Sequence, residues 1–232
     1  MSYKTELHCH SAGVSACARI APADIAEKYL AAGYTTVVLT NHLSFVTFSP
    51  DNYHGSYDWQ EKMDFFLAGY HALKEAAGNR LNVLLGAEIR LYKHEATDYL
   101  VYGLTEDFLR THPGILDTDF PVFSQCVRAA GLFLVQAHPF RNHMVVTEPS
   151  LLDAIETYNG NKHCASRNDM AEIWAERFHM RKTSGSDLHR PADDACAGIR
   201  TETPITTNEE LLAVLRSGNY TLIQEAKNLQ ED

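Results

Sequence analysis

Strand-like and helix-like patterns of hydrophobic residues alternate along the whole chain. Short apolar or β-branched runs such as residues 35–40 are typical of buried strands, and amphipathic stretches such as residues 22–32, with Pro22 at the start and Gly33 after the end, are typical of helices. The pattern predicts helices at residues 22–32, 57–77, 120–130, 168–180 and 208–216. It predicts strands at residues 3–10, 35–40, 81–91, 98–104, 132–136 and 153–158, a short strand reaching residue 184, and a last strand at 220–223. We therefore expect one α/β domain over residues 1–232.

Composition narrows the class of protein. Hydrophobic residues make up 45% of the chain, which is typical of a globular protein and not of a disordered one. No run approaches the roughly 18 apolar residues that cross a bilayer, and the N-terminus does not resemble a signal peptide, so we expect a cytoplasmic protein with no membrane partner. The formal net charge of −10 makes polymeric nucleic acid an unfavourable partner.

Two pairs of metal-ligand residues stand far apart in the sequence. His8 and His10 end the first predicted strand, and Asp187 and His189 follow the strand that reaches residue 184. On a strand, alternate side chains point to one face, so each pair would project together. If the first and last strands of a closed barrel are neighbours, the two pairs form one cluster. Imidazole and carboxylate ligands together suit zinc, manganese or iron rather than calcium.

Further polar residues fall where other predicted strands end. The carboxyl ends of the strands build the active site of an α/β barrel, so we expect these side chains to face one another there. An acid inside an apolar strand, such as Glu88, is costly to bury unless a cation compensates it. Beyond the two pairs, the residues at strand ends are Asn41, His42, Glu88, His138, Glu156 and Asn159.

Five short motifs occur in a recognisable order. They are His-x-His at residues 8–10, Thr-Asn-His at 40–42, Gly-Ala-Glu at 86–88, Ala-His-Pro at 137–139 and Gly-Ser-Asp-x-His at 185–189. Together they resemble the PHP (polymerase and histidinol phosphatase) superfamily from Glu6 to about Pro191. The resemblance implies a distorted (β/α)7 barrel of the PHP type, similar to a TIM barrel. It also implies a centre of two to three divalent metal ions that hydrolyses phosphate esters.

The resemblance also implies roles for individual residues. Glu88 would bridge a first ion to a second one that His138 holds, and His42 with His189 would hold a third. The first ion would be bound by His8, His10, Glu88 and Asp187. In such a centre a metal-bound hydroxide attacks phosphorus, so no side-chain nucleophile is needed.

This chain departs from the family pattern in the second motif and in the fourth strand. Asn41 stands where the family usually has aspartate, and the fourth strand carries no histidine, although Asp98 lies at its start. We expect Asn41, Glu156 and Asn159 to support the ligands by hydrogen bonds rather than to bind metal, although for Glu156 a ligand role is an equal alternative.

Three arginines follow proposed ligands in the loops. Arg19, Arg141 and Arg190 come shortly after His10, His138 and His189. A guanidinium grips a phosphate with two parallel hydrogen bonds, so we predict that at least one of the three binds the substrate phosphate. Each of them is alternatively a surface salt-bridge residue. His143 is a candidate general acid because it lies in the same loop as Arg141.

The sequence favours a metal-dependent phosphoesterase, or phosphatase, acting on a small phosphorylated substrate. An exonuclease or phosphodiesterase acting on short oligonucleotides is the nearest alternative, and the acidic charge disfavours it. An amidohydrolase is a second alternative, because those barrels also begin with His-x-His. A non-catalytic metal-binding PHP module is the alternative outside enzymes. The sequence predicts neither the metal's identity nor the oligomeric state.

Overall fold

The computed structural model describes residues 2–93 and 97–225. Within them, six helices are α1 (Pro22–Ala31), α2 (Trp59–Ala77), α3 (Glu106–Thr111), α4 (Phe120–Ala129), α5 (Asn168–Arg177) and α6 (Asn208–Ser217). The strands are β1 (Tyr3–Glu6), β2 (Tyr34–Leu39), β3 (His42–Leu43), β4 (Asn82–Ile89), β5 (Tyr99–Tyr102), β6 (Phe133–Gln136), β7 (Ala154–Asn159), β8 (Arg181–Gly185), β9 (Ala197–Thr201) and β10 (Thr221–Gln224). No helix of the described part is long and apolar enough to span a bilayer.

The strands form a nearly closed barrel. Their order in the sheet is β10-β9-β1-β2-β4-β5-β6-β7-β8, with β3 pairing to β4. The barrel closes where the chain beyond β1 runs beside the chain beyond β8: Cys9 and Leu188 form a parallel bridge, and the amide of Asp187 donates to the carbonyl of His8 at 2.8 Å. The predicted neighbourhood of the first and last ligand pairs is therefore present.

The barrel departs from the regular alternation that the sequence pattern predicts. Strand β5 is antiparallel to both β4 and β6, and β9, which was not predicted, is antiparallel to β1 and β10. The predicted strand 3–10 ends at Glu6, and the predicted strand pattern does not continue through Asp187, whose φ is 50°. His8 and Asp187 thus lie just beyond regular strands, where the backbone can turn their side chains towards a common centre.

Local signals explain where the helices begin. Thr207 and Glu210 form a reciprocal capping box at the start of α6, and Asp58 accepts hydrogen bonds from the amides of Gln60 and Glu61 at the start of α2. Neighbouring residues of β2 face opposite sides of the sheet. Val37 packs in the apolar cluster that includes residues of α1, and Val38 packs in the cluster that includes residues of α6. The two faces of β2 therefore pack in different apolar clusters, each with its own helix.

Candidate metal centre

Four buried side chains converge where the barrel closes. The Nε2 atom of His8 lies 3.3 Å from both Glu88 Oε2 and Asp187 Oδ1. The Nε2 atom of His10 lies 3.2 Å from Glu88 Oε2 and 3.3 Å from Asp187 Oδ1. None of these four atoms makes a hydrogen bond to any other described residue, although each is buried. Leaving that many polar atoms unsatisfied is costly unless a ligand engages them.

The four nitrogen–oxygen separations of 3.2–3.3 Å have the length of the edges of a tetrahedral ion site. In a regular tetrahedron an edge is about 1.6 times the distance from centre to corner, so edges near 3.3 Å place a centre about 2.0 Å from each donor, which is the usual length of Zn–N and Zn–O bonds. Two carboxylates and two imidazoles also form a donor set that divalent transition metals favour. The residues present therefore fit a metal ion.

Two more groups of potential ligands surround this centre. His10, His42 and His189 bring ligand atoms within 4.8 Å of one another, and so do Glu88, Asp98 and His138. Glu88 joins the groups, because its Oε1 atom lies 2.8 Å from His138 Nε2 and its Oε2 atom lies 3.0 Å from His42 Nδ1. A carboxylate with imidazoles on both oxygens has the arrangement of a bridging ligand.

The pKa shifts of Glu88, Asp187, His42 and His189 agree with metal binding, whereas nearby carboxylates raise the pKa of His8 and His10 despite burial. Burial alone would raise the pKa of Glu88, but His42 and His8 hold that pKa well below its usual range. Burial also opposes ionisation of Asp187, but His8 keeps the pKa of Asp187 low. Burial lowers the pKa of His42 well below its usual range, and burial with the nearby His10 lowers that of His189 to about 4. Ionised carboxylates and neutral imidazoles are the forms that bind metal ions.

Buried acids fix the ligands from behind. Glu156 Oε1 lies 2.8 Å from His8 Nδ1, which leaves Nε2 for the centre, and its other oxygen accepts from the amide of His138 at 2.9 Å. Glu6, which the sequence analysis missed, accepts from the amides of His8 and Ser186 and from the Tyr29 hydroxyl. Burial raises the pKa of Glu6 to about 7. Glu156 thus ties His8 to the segment after β6, and Glu6 ties the end of β1 to the segment after β8.

Asn41 and Asn159 form hydrogen bonds to residues that contact the candidate ligands. The side-chain oxygen of Asn41 accepts from the Ser11 amide at 2.7 Å and from the Ser15 hydroxyl at 3.0 Å. Ser15 Oγ in turn lies 3.3 Å from His10 Nδ1. Asn159 donates to Glu156 at 3.0 Å. Asn41 therefore orders the loop after His10.

The backbone is strained at two of the ligands. His138 has a φ of 27° and Asp187 one of 50°. Positive φ is uncommon for residues other than glycine and costs of order 1–3 kcal/mol, and such strain clusters at functional sites. The amide of His138 donates to Glu156 and that of Asp187 to His8, which holds both turns in place.

A cavity of about 530 Å³ opens above the centre, within the range of small-molecule sites. Arg141, Arg190 and Arg90 line it, the last without having been predicted. Arg141 donates to Asp187 Oδ2 at 2.7 Å, and its buried Nε makes no hydrogen bond to the described residues. Arg90 holds Asp98 by two hydrogen bonds of 2.6 and 2.5 Å. Positive charge therefore faces the cavity beside the ligands.

Two predicted residues lie away from this cavity. Arg19 is exposed and donates to the backbone carbonyls of Ala16 and Ala18 at 2.6 and 2.9 Å, and it is not among the described residues that line the cavity. His143 is exposed in the loop after β6 and is also not one of the described lining residues. Proximity in sequence to a ligand therefore does not bring either side chain to the cavity.

The comparisons with known proteins agree with this geometry. The family model described as PHP-associated matches residues 165–220. A two-domain protein from Bacteroides vulgatus containing a predicted PHP-like metal-dependent phosphoesterase superposes with a TM-score of 0.67 at 14% identity, over 97% of this chain and 65% of that one. The lesion-specific endonuclease PfuEndoQ from Pyrococcus furiosus gives 0.64 at 15% identity, over 96% of this chain and 58% of that one.

An amidohydrolase from Chromobacterium violaceum is also similar, with a TM-score of 0.54 at 14% identity over 97% of this chain and 99% of that one. No curated protein matches the chain in sequence. The fold is that of PHP-like proteins. The family match over residues 165–220 includes the fifth motif, at residues 185–189. The chain spans less than two thirds of the Bacteroides protein and of PfuEndoQ.

Proposed function

We propose that this protein is a metal-dependent hydrolase of a small phosphate monoester, of the nucleotide or sugar phosphate class. The observation that carries the proposal is the set of four buried, unsatisfied donor atoms of His8, His10, Glu88 and Asp187 at one end of a cavity that arginines also line. Divalent ions and guanidinium groups together are well suited to bind a phosphate dianion and to stabilise the charge that develops during its hydrolysis.

Two to three divalent ions, of zinc, manganese or iron, would occupy the centre. Bound ions supply a water molecule with a lowered pKa and screen the phosphoryl oxygens. Arg141 holds Asp187 Oδ2, which leaves Oδ1 turned to the other donors, and Glu156 directs His8 Nε2 to the same point. The side chains that would hold the ions are His8, His10, His42, Glu88, His138, Asp187 and His189.

The arginines would bind the phosphate. The Arg141 side chain is 17% exposed, lines the cavity and is fixed by Asn159, Ser166 and Asp187, so its charge is held there without further loss of entropy. Arg190 and Arg90 add charge at the same cavity. The cavity volume of about 530 Å³ suits a phosphate with a small organic group rather than a folded nucleic acid.

A phosphodiesterase acting on short oligonucleotides is the second candidate, because the fold is similar to that of an endonuclease. The net charge of −10 opposes polymeric nucleic acid but does not oppose a short strand held by local arginines. The fold of the Chromobacterium amidohydrolase keeps an amide substrate as a further outcome of the test. We retain a cytoplasmic location as a prediction.

The test is release of inorganic phosphate from a panel of monoesters, and formation of the monoester product from diesters, with manganese or zinc supplied. The panel contains nucleotides, sugar phosphates and histidinol phosphate, with dinucleotides and bis(4-nitrophenyl) phosphate as diesters. Asp187→Ala removes a ligand, and Asp51→Ala, an exposed aspartate in a loop, is its matched control. We expect release by the wild type and by Asp51→Ala that disappears in Asp187→Ala. Cleavage of diesters alone would favour the second candidate, and metal binding with no turnover of any ester would favour an amide substrate or a non-catalytic module.

A further inference from the structure

A histidine and an aspartate outside the metal ligands form a pair at the cavity wall. His163 Nε2 lies 2.8 Å from Asp193 Oδ1, and His163 lines the same cavity as His42, His138 and His189. The side chain of Asp193 is 5% exposed, whereas that of His163 is 34% exposed. One end of the imidazole is thus held by a buried carboxylate, and the ring remains open to the cavity.

The aspartate is fixed by the turn that carries a metal ligand. Asp193 Oδ2 accepts from the amides of His189 and Arg190 at 2.9 and 2.8 Å. Two amide donors therefore fix the Asp193 carboxylate beside His163, where its Oδ1 atom orients the imidazole ring.

The loop that carries His163 is tied to the metal centre at several points. Asn161 donates to the carbonyl of Asp187 at 3.2 Å and to its Oδ2 at 3.3 Å, and the Asn161 side-chain oxygen accepts from the amide of His163 at 2.9 Å. Lys162 donates to the carbonyl of Ala192 at 2.6 Å. These hydrogen bonds fix the loop, and the loop places His163 at the cavity.

Other described groups at the cavity are poorly suited to give up a proton. Burial raises the pKa of the Cys17 thiol to about 11. Asp98 is engaged by Arg90, and the remaining imidazoles of the cavity belong to the candidate metal centre. Cys164 lies beside His163 on the same wall. An imidazole with a carboxylate partner is the group among these whose chemistry suits proton transfer near neutral pH.

We propose that His163 is the general acid that protonates the leaving group, with Asp193 as its positioning residue; this inference rests on the proposed phosphoesterase function. A water molecule supplies the hydroxyl group that bonds to phosphorus and releases its proton to solvent. The bond between phosphorus and the ester oxygen breaks, and its electron pair stays on that oxygen. The proton on His163 Nδ1 passes to the oxygen, the alcohol departs, and solvent reprotonates the imidazole. This proposal assigns the general-acid role to His163 and not to His143, which the sequence suggested.

The test compares leaving groups of different basicity. A general acid contributes about 10²–10⁴-fold where the leaving group is a poor one, and little where it departs readily as an anion. We expect His163→Gln to lower kcat about 100-fold or more on an alkyl phosphate and less than about 10-fold on 4-nitrophenyl phosphate. Asp193→Asn should show the same selectivity to a smaller extent. Metal content and affinity for inorganic phosphate, measured by calorimetry, should be unchanged in His163→Gln, because His163 would touch the leaving group only.

A matched control is His71→Gln, because His71 forms a pair with Glu106 at 2.7 Å that is exposed and outside the cavity. It should behave like the wild type on every ester. An equal loss on all leaving groups, a loss of phosphate affinity, or the leaving-group effect in His143→Gln instead would overturn the role of His163 alone. A wild-type protein that binds metal and hydrolyses no ester would contradict this inference and the proposed function together.

Discussion

Replacing Gly185 by alanine tests how tightly the end of β8 determines the ligand cage. A methyl group at residue 185 would lie 2.2 Å from the Cβ atom of His8 and 2.8 Å from Glu156 Oε1. Carbon atoms in contact are about 3.5–4.0 Å apart, so at least about 1.3 Å of overlap must be relieved. The nearest atom belongs to the rigid base of the His8 side chain and not to a flexible tip, and β8 is held by its pairing with β7.

The overlap has two expected consequences. Overpacking of this kind costs about 1–3 kcal/mol in the free energy of unfolding, which lowers the Tm by about 2–4 °C for each kcal/mol in a chain of this size. Displacement of His8 by more than the roughly 0.2 Å that metal–ligand distances tolerate should weaken metal binding. We expect about a 10- to 100-fold loss of affinity, the loss typical when a residue that orients a ligand is changed.

Urea unfolding and titration with zinc or manganese measure the two effects. Gly114→Ala is the matched control, because a methyl group at residue 114 meets nothing within 4 Å and the backbone there has a φ of −96°. Its free energy of unfolding should stay within about 0.5 kcal/mol of the wild type. If Gly185→Ala binds metal as tightly as Gly114→Ala does, the contact between β8 and His8 does not hold the ligand in place, and the reasoning is refuted.

Three further substitutions separate binding from stability. Arg141→Met should weaken the binding of inorganic phosphate, measured by calorimetry, about 10-fold or more, because a charge-assisted contact is worth about 1.5–3 kcal/mol. Arg19→Met, outside the cavity, should leave this affinity unchanged. Equal affinities of the two variants would contradict the assigned phosphate site. Thr207→Ala removes the cap of α6 and should cost about 1 kcal/mol in urea unfolding with turnover intact, and an unchanged midpoint would deny the cap its role. Tyr29→Phe removes the 2.8 Å hydrogen bond to Glu6 and should lower the Tm by an amount equivalent to about 1 kcal/mol, so a Tm equal to that of the wild type would show that this bond does not stabilise the fold.

The positions of the ligand-type residues could be predicted from the sequence because they depend on local signals. Each of His42, Glu88 and His138 lies within or just after an apolar run, and the structure brings these side chains within ion-pair distance of one another through Glu88. Periodicity located five of the six described helices for the same reason, but it did not predict α3. The neighbourhood of His8 and Asp187 needed one additional assumption, barrel closure, which the bridge between Cys9 and Leu188 confirms.

Features that depend on pairing between distant segments could not be predicted from the sequence. The antiparallel direction of β5 is set by its hydrogen bonds to β4 and β6, and a short apolar strand has the same pattern in either direction. The pair of His163 and Asp193 joins residues of two loops, whose relative path no periodicity encodes. Glu6 had a weaker signal that could have been used, since it is an acid at the end of a strand and directly precedes the first motif.

The metal content of the purified protein tests the central claim most directly. After dialysis against metal-free buffer, inductively coupled plasma mass spectrometry is applied to the wild type, to Glu88→Gln and to Glu75→Gln, an exposed glutamate of α2. Glu88 contacts imidazoles of all three ligand groups, so its change should reduce the bound metal most. We predict at least one zinc, manganese or iron ion per chain in the wild type and in Glu75→Gln, and a marked loss in Glu88→Gln. A wild-type protein that retains no stoichiometric metal and takes up none when it is supplied would contradict the account.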